Sequence, residues 1–412
     1  MKVLILGSGA REHAVADAFS RSLKTETIYV CPGNDGIAQE YECLDLPDRQ
    51  AILDFCQKEH IDMVFIGPEQ PIADGVSDFL KDAAIPVFAP SQAAARLESS
   101  KAFAKEIMNR YHIPTARHQM IHNSSEIHEV ISGFSMPVVL KADGLAAGKG
   151  VVIAHNPQEA EDVCRELLNQ QFGSTGVLAE EYLEGWEVSL FAISDGRNFC
   201  TTQFAQDHKQ LFDGDVGPNT GGMGAYCPVL EAEPYRQEIE DKIIGPVLEA
   251  MQAEGCPYAG VLYVGLMITK NGPKVIEFNC RLGDPETEAV LPLLKTDIMD
   301  ICLAVTQIRV NELVLEWDSG SAVAVVLAAP GYPGNYPKNL PIKIPQLEAK
   351  VYFAGVKRGE SAWLSSGGRV LCVVAQADEL ESARSAVYRD IEKIDFPQAQ
   401  CRRDIGRRTN QL

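Results

Sequence analysis

The first hundred residues alternate short apolar runs with amphipathic stretches, and this alternation restricts the fold more than any other feature of the chain. KVLIL (2–6), TIYV (27–30), DMVFIG (62–67) and PVFA (86–89) have the length and composition of buried strands. Segments near 11–22, 48–59 and 72–83 between them carry apolar residues at helical spacing. Strands separated by helices run parallel, with right-handed crossovers and helices on both faces of the sheet. The loops that follow such strands converge on one edge, where ligands bind. GSGARE (7–12), PGND (32–35) and GPEQP (67–71) each follow one of these strands. Three polar loops on one edge predict a small-molecule site.

Beyond Pro90 the pattern changes. SQAAARLESSKAFAKEIMNRY (91–111) predicts a helix, which HIPTA then breaks. PVVLKADG, GVVIA, GVLAEEYL and EVSLFAISDG, between 137 and about 196, predict strands, with a helix over 157–170. Residues 201–226 are rich in Gly, Asp and Asn and predict a long functional loop. A helix over 233–253, the strands VLYVGLMIT and KVIEFN, and a helix over 285–308 follow. The tail predicts strands at SAVAVVLAA and RVLCVVA, then a helix over 378–394, where Leu380, Ala383, Val387, Ile391 and Ile394 recur at helical spacing.

With 412 residues, 46% of them apolar, the chain has material for two to four domains. A net charge of −20 argues against nucleic acid or an anionic membrane as partner, because phosphate backbones select basic surfaces. Any phosphate must be held locally by a few lysines and backbone amides. The apolar run in MKVLILGSGA is too short for a signal peptide, and no stretch approaches a bilayer span. The eleven cysteines, an odd count without CxxC or Cys/His clustering, suit reduced thiols. These features together predict a soluble, cytoplasmic, multidomain protein.

Two glycine loops have the chemistry of anion holders. GSGARE opens a helix after the first strand, where a dinucleotide-binding fingerprint would stand, but Glu12 replaces the last glycine of GxGxxG. No acidic residue follows the second strand where a ribose would need it, and Asp35 lies further on, in a Gly/Pro turn. Two readings remain: amides of residues 8–11 hold a phosphate or carboxylate, or the segment is only a tight turn. KADGLAAGKG (141–150) lies between strands with Lys141 at its start, yet it departs from the Walker pattern in spacing and lacks the closing Ser or Thr. On a strand–turn–strand hairpin its glycines form a flap whose amides can close over phosphates; alone, it reads equally well as an exposed loop. About thirty residues later, EEYLEGWEVS (180–189) offers backbone groups for an adenine edge and a carboxylate, Glu187, for ribose hydroxyls. In isolation it would also pass as a solvated acidic turn.

The most constrained stretch is VIEFNCRLGDPET (275–287). On a strand, Glu277, Asn279 and Arg281 share one face and Ile276, Phe278 and Cys280 the other, which predicts an ordinary core face opposite a polar one. Burying that polar row costs several kcal/mol unless something compensates it. Mg²⁺ does so: it takes hard oxygen ligands, few of them from protein and the rest from phosphates and water. Glu277 and Asn279 therefore predict a metal bridged to nucleotide phosphates. Arg281, one step further, points where an anionic substrate or a developing acyl phosphate would lie.

The lysine, flap, E-E-x-L-x-G-x-E hinge and E-x-N strand, in that order, resemble the ATP-grasp superfamily. GSGAREHA, PGNDG, GPEQP, SKAF, KADGLAAGKGV, QDHK, GPNTGGMGAY, VIEFNCRLGDPET and CRRDIG, running from residue 7 to 406, resemble the phosphoribosylamine–glycine ligase family more specifically. The resemblance implies an α/β multidomain fold. Its parts would be an N-terminal Rossmann-like parallel open-sheet substrate domain (1–101), an ATP-grasp domain (102–312) with a mobile lid subdomain (about 120–190), and a small C-terminal α+β domain (313–412). The implied reaction joins glycine to 5-phosphoribosylamine through glycyl phosphate, with ATP as co-substrate and Mg²⁺ or Mn²⁺, in purine biosynthesis. ATP would be bound by Lys101, Lys141, Gly144, Gly148, Gly150, Glu180, Glu181, Tyr182, Leu183 and Glu187, and the metal by Glu277 and Asn279. Arg281, Lys149 and Asp284 are the expected catalytic groups. Gly9, Arg11, Glu12, Gly33, Asn34, Pro68, Glu69, Asp207, Lys209 and Asn219 would bind the phosphoribosylamine and glycine. The expected state is a monomer or weak homodimer acting on small molecules. VLYVGLMIT departs from the superfamily in lacking a second metal-binding carboxylate. The competing expectation is another ATP-grasp carboxylate–amine ligase or a purine-pathway carboxylase.

Overall fold

In the computed structural model, which describes residues 1–145, 150–169 and 176–407, the N-terminal alternation becomes a five-stranded parallel sheet. Lys2–Gly7 lies at its centre between Thr27–Pro32 and Met63–Ile66, with Glu42–Cys43 and Val87–Phe88 at the edges. Val3, Leu4 and Ile5 are fully buried, as a strand covered on both faces requires. Strand order reverses at Lys2–Gly7, so the loops after the three central strands open on one crevice. The expected helix over 72–83 is instead two, Glu69–Ala73 and Val76–Asp82, divided at Gly75 (φ +78°). The helix over 91–111 is likewise broken. Ser100 is extended and restarts it, its hydroxyl accepting from the Phe103 N–H (3.2 Å), so Lys101 begins the helix Lys101–Arg110.

Residues 118–181 form a four-stranded antiparallel sheet in the order His118–Ile121, Val177–Glu181, Val138–Ala142, Val151–Ala154. Val138, Leu140, Ala142, Ala154, Val177 and Ala179 pack under the helices Ile127–Ser132 and Pro157–Asn169 in a core of their own. The alternate residues Val139, Lys141, Val151, Ile153, Leu178 and Glu180 line the opposite side, facing a cavity.

The central antiparallel sheet runs Phe199–Thr201, Trp186–Asp195, Ala259–Thr269, Gly272–Asn279. Gly265 pairs with Glu277 and the next residue, Leu266, with Val275, so Ile276 is an inserted bulge residue. Val275, not Ile276, therefore joins Phe278 and Cys280 in the core. The expected helix over 285–308 divides into Glu286–Val290, the turn Leu291–Leu293 and Ile298–Thr306. Pro292 has no N–H to continue the ladder, and Asp297 caps the restart at Met299 N (2.8 Å). The helix over 233–253 is interrupted too: the wide turn Glu240–Ile244 precedes Pro246.

The expected loop over 201–226 contains strands. Gln206–Asp207 and Gly224–Cys227 extend the sheet formed by Ser321–Ala328, Arg369–Ala377 and Lys350–Phe353. Between them, Gln210–Phe212 and Val216–Asn219 make a hairpin. These strands are too short to carry an apolar period, which is why composition alone predicts a loop. Among the described residues no helix is long and apolar enough to cross a membrane.

His208 lies buried at the root of this hairpin, its N–H donating to Gly224 O (2.9 Å) and its ring 6.2 Å from that of Tyr226. Burial first, then the neighbouring charge of Arg402, pushes its imidazole down to about 4. Between about pH 6.5 and its folded value the unfolded chain binds more protons than the native one, so stability falls as pH drops through that window. His208→Gln should flatten the slope of unfolding free energy between those pH values in urea titrations. An unchanged slope would place the acid sensitivity elsewhere.

Candidate active site

A cavity of about 410 Å³ opens where the 118–181 sheet, the central sheet, the first sheet's crevice and the 207–222 loop meet. At one end it is an apolar slot lined by Met108, Val139, Ile153, Leu178 and Met267, beside the segment Glu181–Leu183. At the other it is lined by Arg11, Glu69, Asp207, Lys209, Asn219, Arg281 and Asp284.

Lysines stand between the two ends. Glu180 is buried and takes Lys141 on one oxygen (2.6 Å) and Lys105 on the other. Burial works to raise its carboxyl pKa, but the two ammonium groups outweigh it and hold the pKa below its usual range. Lys141 also donates to the carbonyl of Ile276 (3.1 Å), which the bulge turns toward it. Lys105 donates further to Thr115 Oγ1 (2.6 Å), whose own hydroxyl bonds Val275 O (2.8 Å). Lys101 Nζ bonds Gly144 O (2.7 Å) at the start of the glycine flap, and its backbone N–H bonds Asp143 (2.7 Å). Gly144 and Gly150 line the cavity, whereas Gly148 and Lys149 lie outside the described residues.

Glu277 faces this cluster. Burial opposes its ionisation, yet Lys209, Lys141 and Lys101 bring it down to about 2. Lys209 Nζ lies 3.4 Å from Glu277 Oε1 and 3.6 Å from Glu187 Oε2. Asn279 is 3.5 Å from the same Glu277 oxygen, on the shared face read from the alternation. In this contact Asn279 Nδ2 is the donor; with the amide turned over, its Oδ1 and the Glu277 carboxylate are hard ligands that fit a divalent cation whose other ligands come from phosphate and water. Among the described residues no cluster of three or more His, Cys, Asp or Glu could hold a metal without such help. Gly265 stands opposite Glu277 on the strand that lacks a further carboxylate, and a Cβ there would come within 3.3 Å of Glu277 Cγ.

At the polar end Arg281 is held on three sides. It pairs with Glu69 (3.2 Å) and Glu98 (3.0 Å) and donates to Leu282 O (3.3 Å). Glu98 also accepts from Cys280 N–H (2.7 Å), tying the first sheet's flank to the central strand. Asp284 accepts from Arg369 (2.9 Å). Asp207 is half-buried, and its Oδ1 is out of solvent without a hydrogen-bond partner among the described residues. Burial and the Glu286 carboxylate push Asp207 well up, and Lys209 opposes them.

The remaining predicted residues divide by position. Glu12 is buried. It accepts from its own helix start, Gly9 N–H (2.7 Å), and from Arg11 Nε (2.6 Å). The acid that breaks GxGxxG therefore occupies the helix N-terminus itself, and a Cβ on Gly7 or Gly67 would overlap it. Asn34 donates to Ser8 O (2.8 Å), Phe353 O (3.0 Å) and Ala354 O (3.1 Å), fastening the second loop to the C-terminal sheet. Gly9, Glu12, Gly33, Asn34 and Pro68 do not line the cavity; Pro68 precedes the helix that carries Glu69. Sequence reasoning missed Lys105, Glu98, Tyr263, Glu286 and Arg369, all of which line it. Lys105 had a signal, since it stands four residues after Lys101 on one helix face. Arg369 had none, because its neighbours here come from residues 221 and 284.

Models of the phosphoribosylglycinamide synthetase N, ATP-grasp (A) and C domains match residues 1–98, 99–287 and 322–408. A phosphoribosylamine–glycine ligase of Caldanaerobacter subterraneus is 44% identical over 98% of this chain and 99% of its own. The crystal structure of phosphoribosylamine–glycine ligase from Thermotoga maritima superposes with a TM-score of 0.87 at 36% identity, over 98% of this chain and all of that one. Biotin carboxylase from Campylobacter jejuni, 16% identical, shares the fold with a TM-score of 0.72 over 98% of this chain and 94% of that one.

Removing one cation from a buried ion triad strands the carboxylate. Lys105→Met should destabilise the protein by about 3 kcal/mol and weaken adenine-nucleotide binding. Urea unfolding and calorimetric titration with ADP measure both, and an unchanged midpoint would show that Lys141 alone neutralises Glu180.

Proposed function

Because the chain belongs to the phosphoribosylglycinamide synthetase family, we propose that it joins glycine to 5-phosphoribosylamine with ATP, releasing glycinamide ribonucleotide, ADP and phosphate. The observation that carries this reading is Glu277. Its carboxyl is held well below the usual range and stands against Asn279 and Lys209 in the cavity that Lys101, Lys141 and Arg281 also line. Adenine lies in the slot against the backbone of Glu181–Leu183, with Glu187 at the ribose and Lys101 and Lys141 on the phosphates under the 144–150 flap. A divalent cation, Mg²⁺ or Mn²⁺, held by Glu277 and Asn279, supplies neutralisation of phosphate charge. Arg281, Lys149 and Asp284 are the groups assigned to the reacting atoms, and Arg11, Glu69, Asp207, Lys209 and Asn219 to the amine and glycine. Gly9, Glu12, Gly33, Asn34 and Pro68, on the crevice loops outside the cavity itself, are assigned to the same two substrates.

A carboxylate resists amines until it is activated. The glycine carboxylate oxygen attacks the γ-phosphorus, the bond to the ADP oxygen breaks, and glycyl phosphate forms. The amine of phosphoribosylamine then attacks the acyl carbon, phosphate leaves, and the nitrogen gives up a proton. Positioning and charge neutralisation supply most of the acceleration in such transfers. The separate core of residues 118–181 supports a lid subdomain (about 120–190) within an ATP-grasp domain at 102–312, flanked by domains at 1–101 and 313–412. Such a lid would keep water from the acyl phosphate. The enzyme is assigned to the cytoplasm, as a monomer or weak homodimer in purine biosynthesis.

ADP release should require Mg²⁺, ATP, glycine and phosphoribosylamine together, the last generated in the cuvette, and Asn279→Ala should abolish turnover. ADP formed without glycine would return the acid substrate's identity to another carboxylate.

A further inference from the structure

The polar end of the cavity is built on a loop that belongs to the C-terminal sheet. Gln206–Asp207 and Gly224–Cys227 pair with each other, and the second pairs with Ser321–Ala328. The residues between them supply Lys209, Gln210, Asn219, Thr220 and Gly221 to the cavity. The hairpin within, Gln210 opposite Asn219 and Phe212 opposite Val216, leaves Phe212 and Val216 53% and 56% exposed. A two-stranded hairpin with so little burial is marginal in water.

Its anchors come from about 190 residues downstream. Arg402, only 1% exposed, donates to Gln210 O (3.1 Å) and Asp215 (2.7 Å), and Asp404 backs it with two bonds (2.7 and 2.8 Å). Asp404 also accepts from Gly214 N–H, and Asp213 from Arg403 N–H, each at 2.8 Å. At the far end of the loop Arg369 donates to Gly221 O (2.7 Å) and to the carbonyl of Asp284 (2.8 Å), while the Tyr332 hydroxyl accepts from Gly221 N–H (2.9 Å).

We propose that Arg402, with Asp404 and Arg369, is a positioning clamp that sets where Lys209 and Asn219 stand toward the glycine and the amine. This inference rests on the ligase reading. Arg402 does not line the cavity, so it acts only through the hairpin. A guanidinium fork is needed because one side chain must meet a carbonyl and two carboxylates at fixed angles, which a lysine ammonium cannot reproduce. The sequence motif CRRDIG, placed by nothing in the chemistry, thereby has a task.

Asp215 is mostly exposed, so Asp215→Asn loosens the clamp without threatening the fold; Arg402→Lys keeps the charge and loses the fork. In the full chain, both variants should exchange the amides of residues 210–219 faster than wild type. Both should lower kcat/KM for glycine and for phosphoribosylamine, by up to about 100-fold, as misplacement of about 1 Å does. ADP affinity, which rests mainly on the apolar slot, Lys101 and Lys141, should change far less than kcat/KM. Kinetics unchanged despite faster exchange, or ADP affinity falling in step with kcat/KM, would overturn the clamp. So would unchanged exchange in both variants, whatever the activity. Absence of glycine-dependent ADP release in the wild type would instead remove the ligase reading, and hairpin exchange together with ADP affinity would still judge the clamp.

Discussion

A carboxylate taken out of water must be met by positive charge, and the way Glu180 meets this demand organises the lysine-lined part of the cavity. Its two oxygens recruit Lys141 from a neighbouring strand and Lys105 from the helix that Lys101 begins. Those contacts press the 118–181 sheet against the helix and the central sheet, and they leave an apolar slot beside them. Removal of either lysine would leave one Glu180 oxygen without its cation, and removal of Glu180 would leave two buried ammonium groups facing each other, each costlier than the triad is stabilising. The triad is thus a constraint on assembly more than a source of stability.

The same logic recurs along the central strand. The bulge at Ile276 turns its carbonyl to Lys141 while keeping Val275 and Phe278 in the core. One residue later Glu277 is kept ionised by three lysines, and four residues beyond that Arg281 satisfies two glutamates from the N-terminal half. This strand and the turn after it therefore join the lysine cluster of the cavity to its polar end at Arg281. Charges of alternating sign along one face let each compensate its neighbours without water.

The first and last parts of the chain share an apolar core, Val3, Ala14 and Phe19 with Val326 and Tyr352, and polar contacts fasten them further. Asn34 spends its amide on Ser8, Phe353 and Ala354, and Asn34 Oδ1 accepts from Gly36 and Ile37 N–H at 2.8 and 3.0 Å. Lys350 reaches Glu40 at 2.9 Å and Asp17 at 3.1 Å. Loops that look like ligand holders in the sequence are here held by the protein itself, which explains why Gly33 and Asn34 sit off the cavity.

By itself the sequence determined the parallel N-terminal sheet, the two paired strands on either side of the glycine segment and the common face of Glu277 and Asn279. Each follows from a period of two or 3.6 residues or from a turn residue, properties that a short window of chain carries alone. Ordered motifs from residue 7 to 406 likewise made the family legible. Helix ends were misplaced where Ser100, Pro246 or Pro292 interrupts a continuous apolar pattern, and the 206–227 strands were missed because two to four residues show no period. Only the tertiary structure decided that Glu12 caps its own helix, that Lys105 completes the charge around Glu180, and that Arg369 and Arg402 hold a loop about 150 to 190 residues before them. The physical reason is separation: a buried charge reveals its need in the sequence, but the partner that answers it is chosen by how distant strands stack.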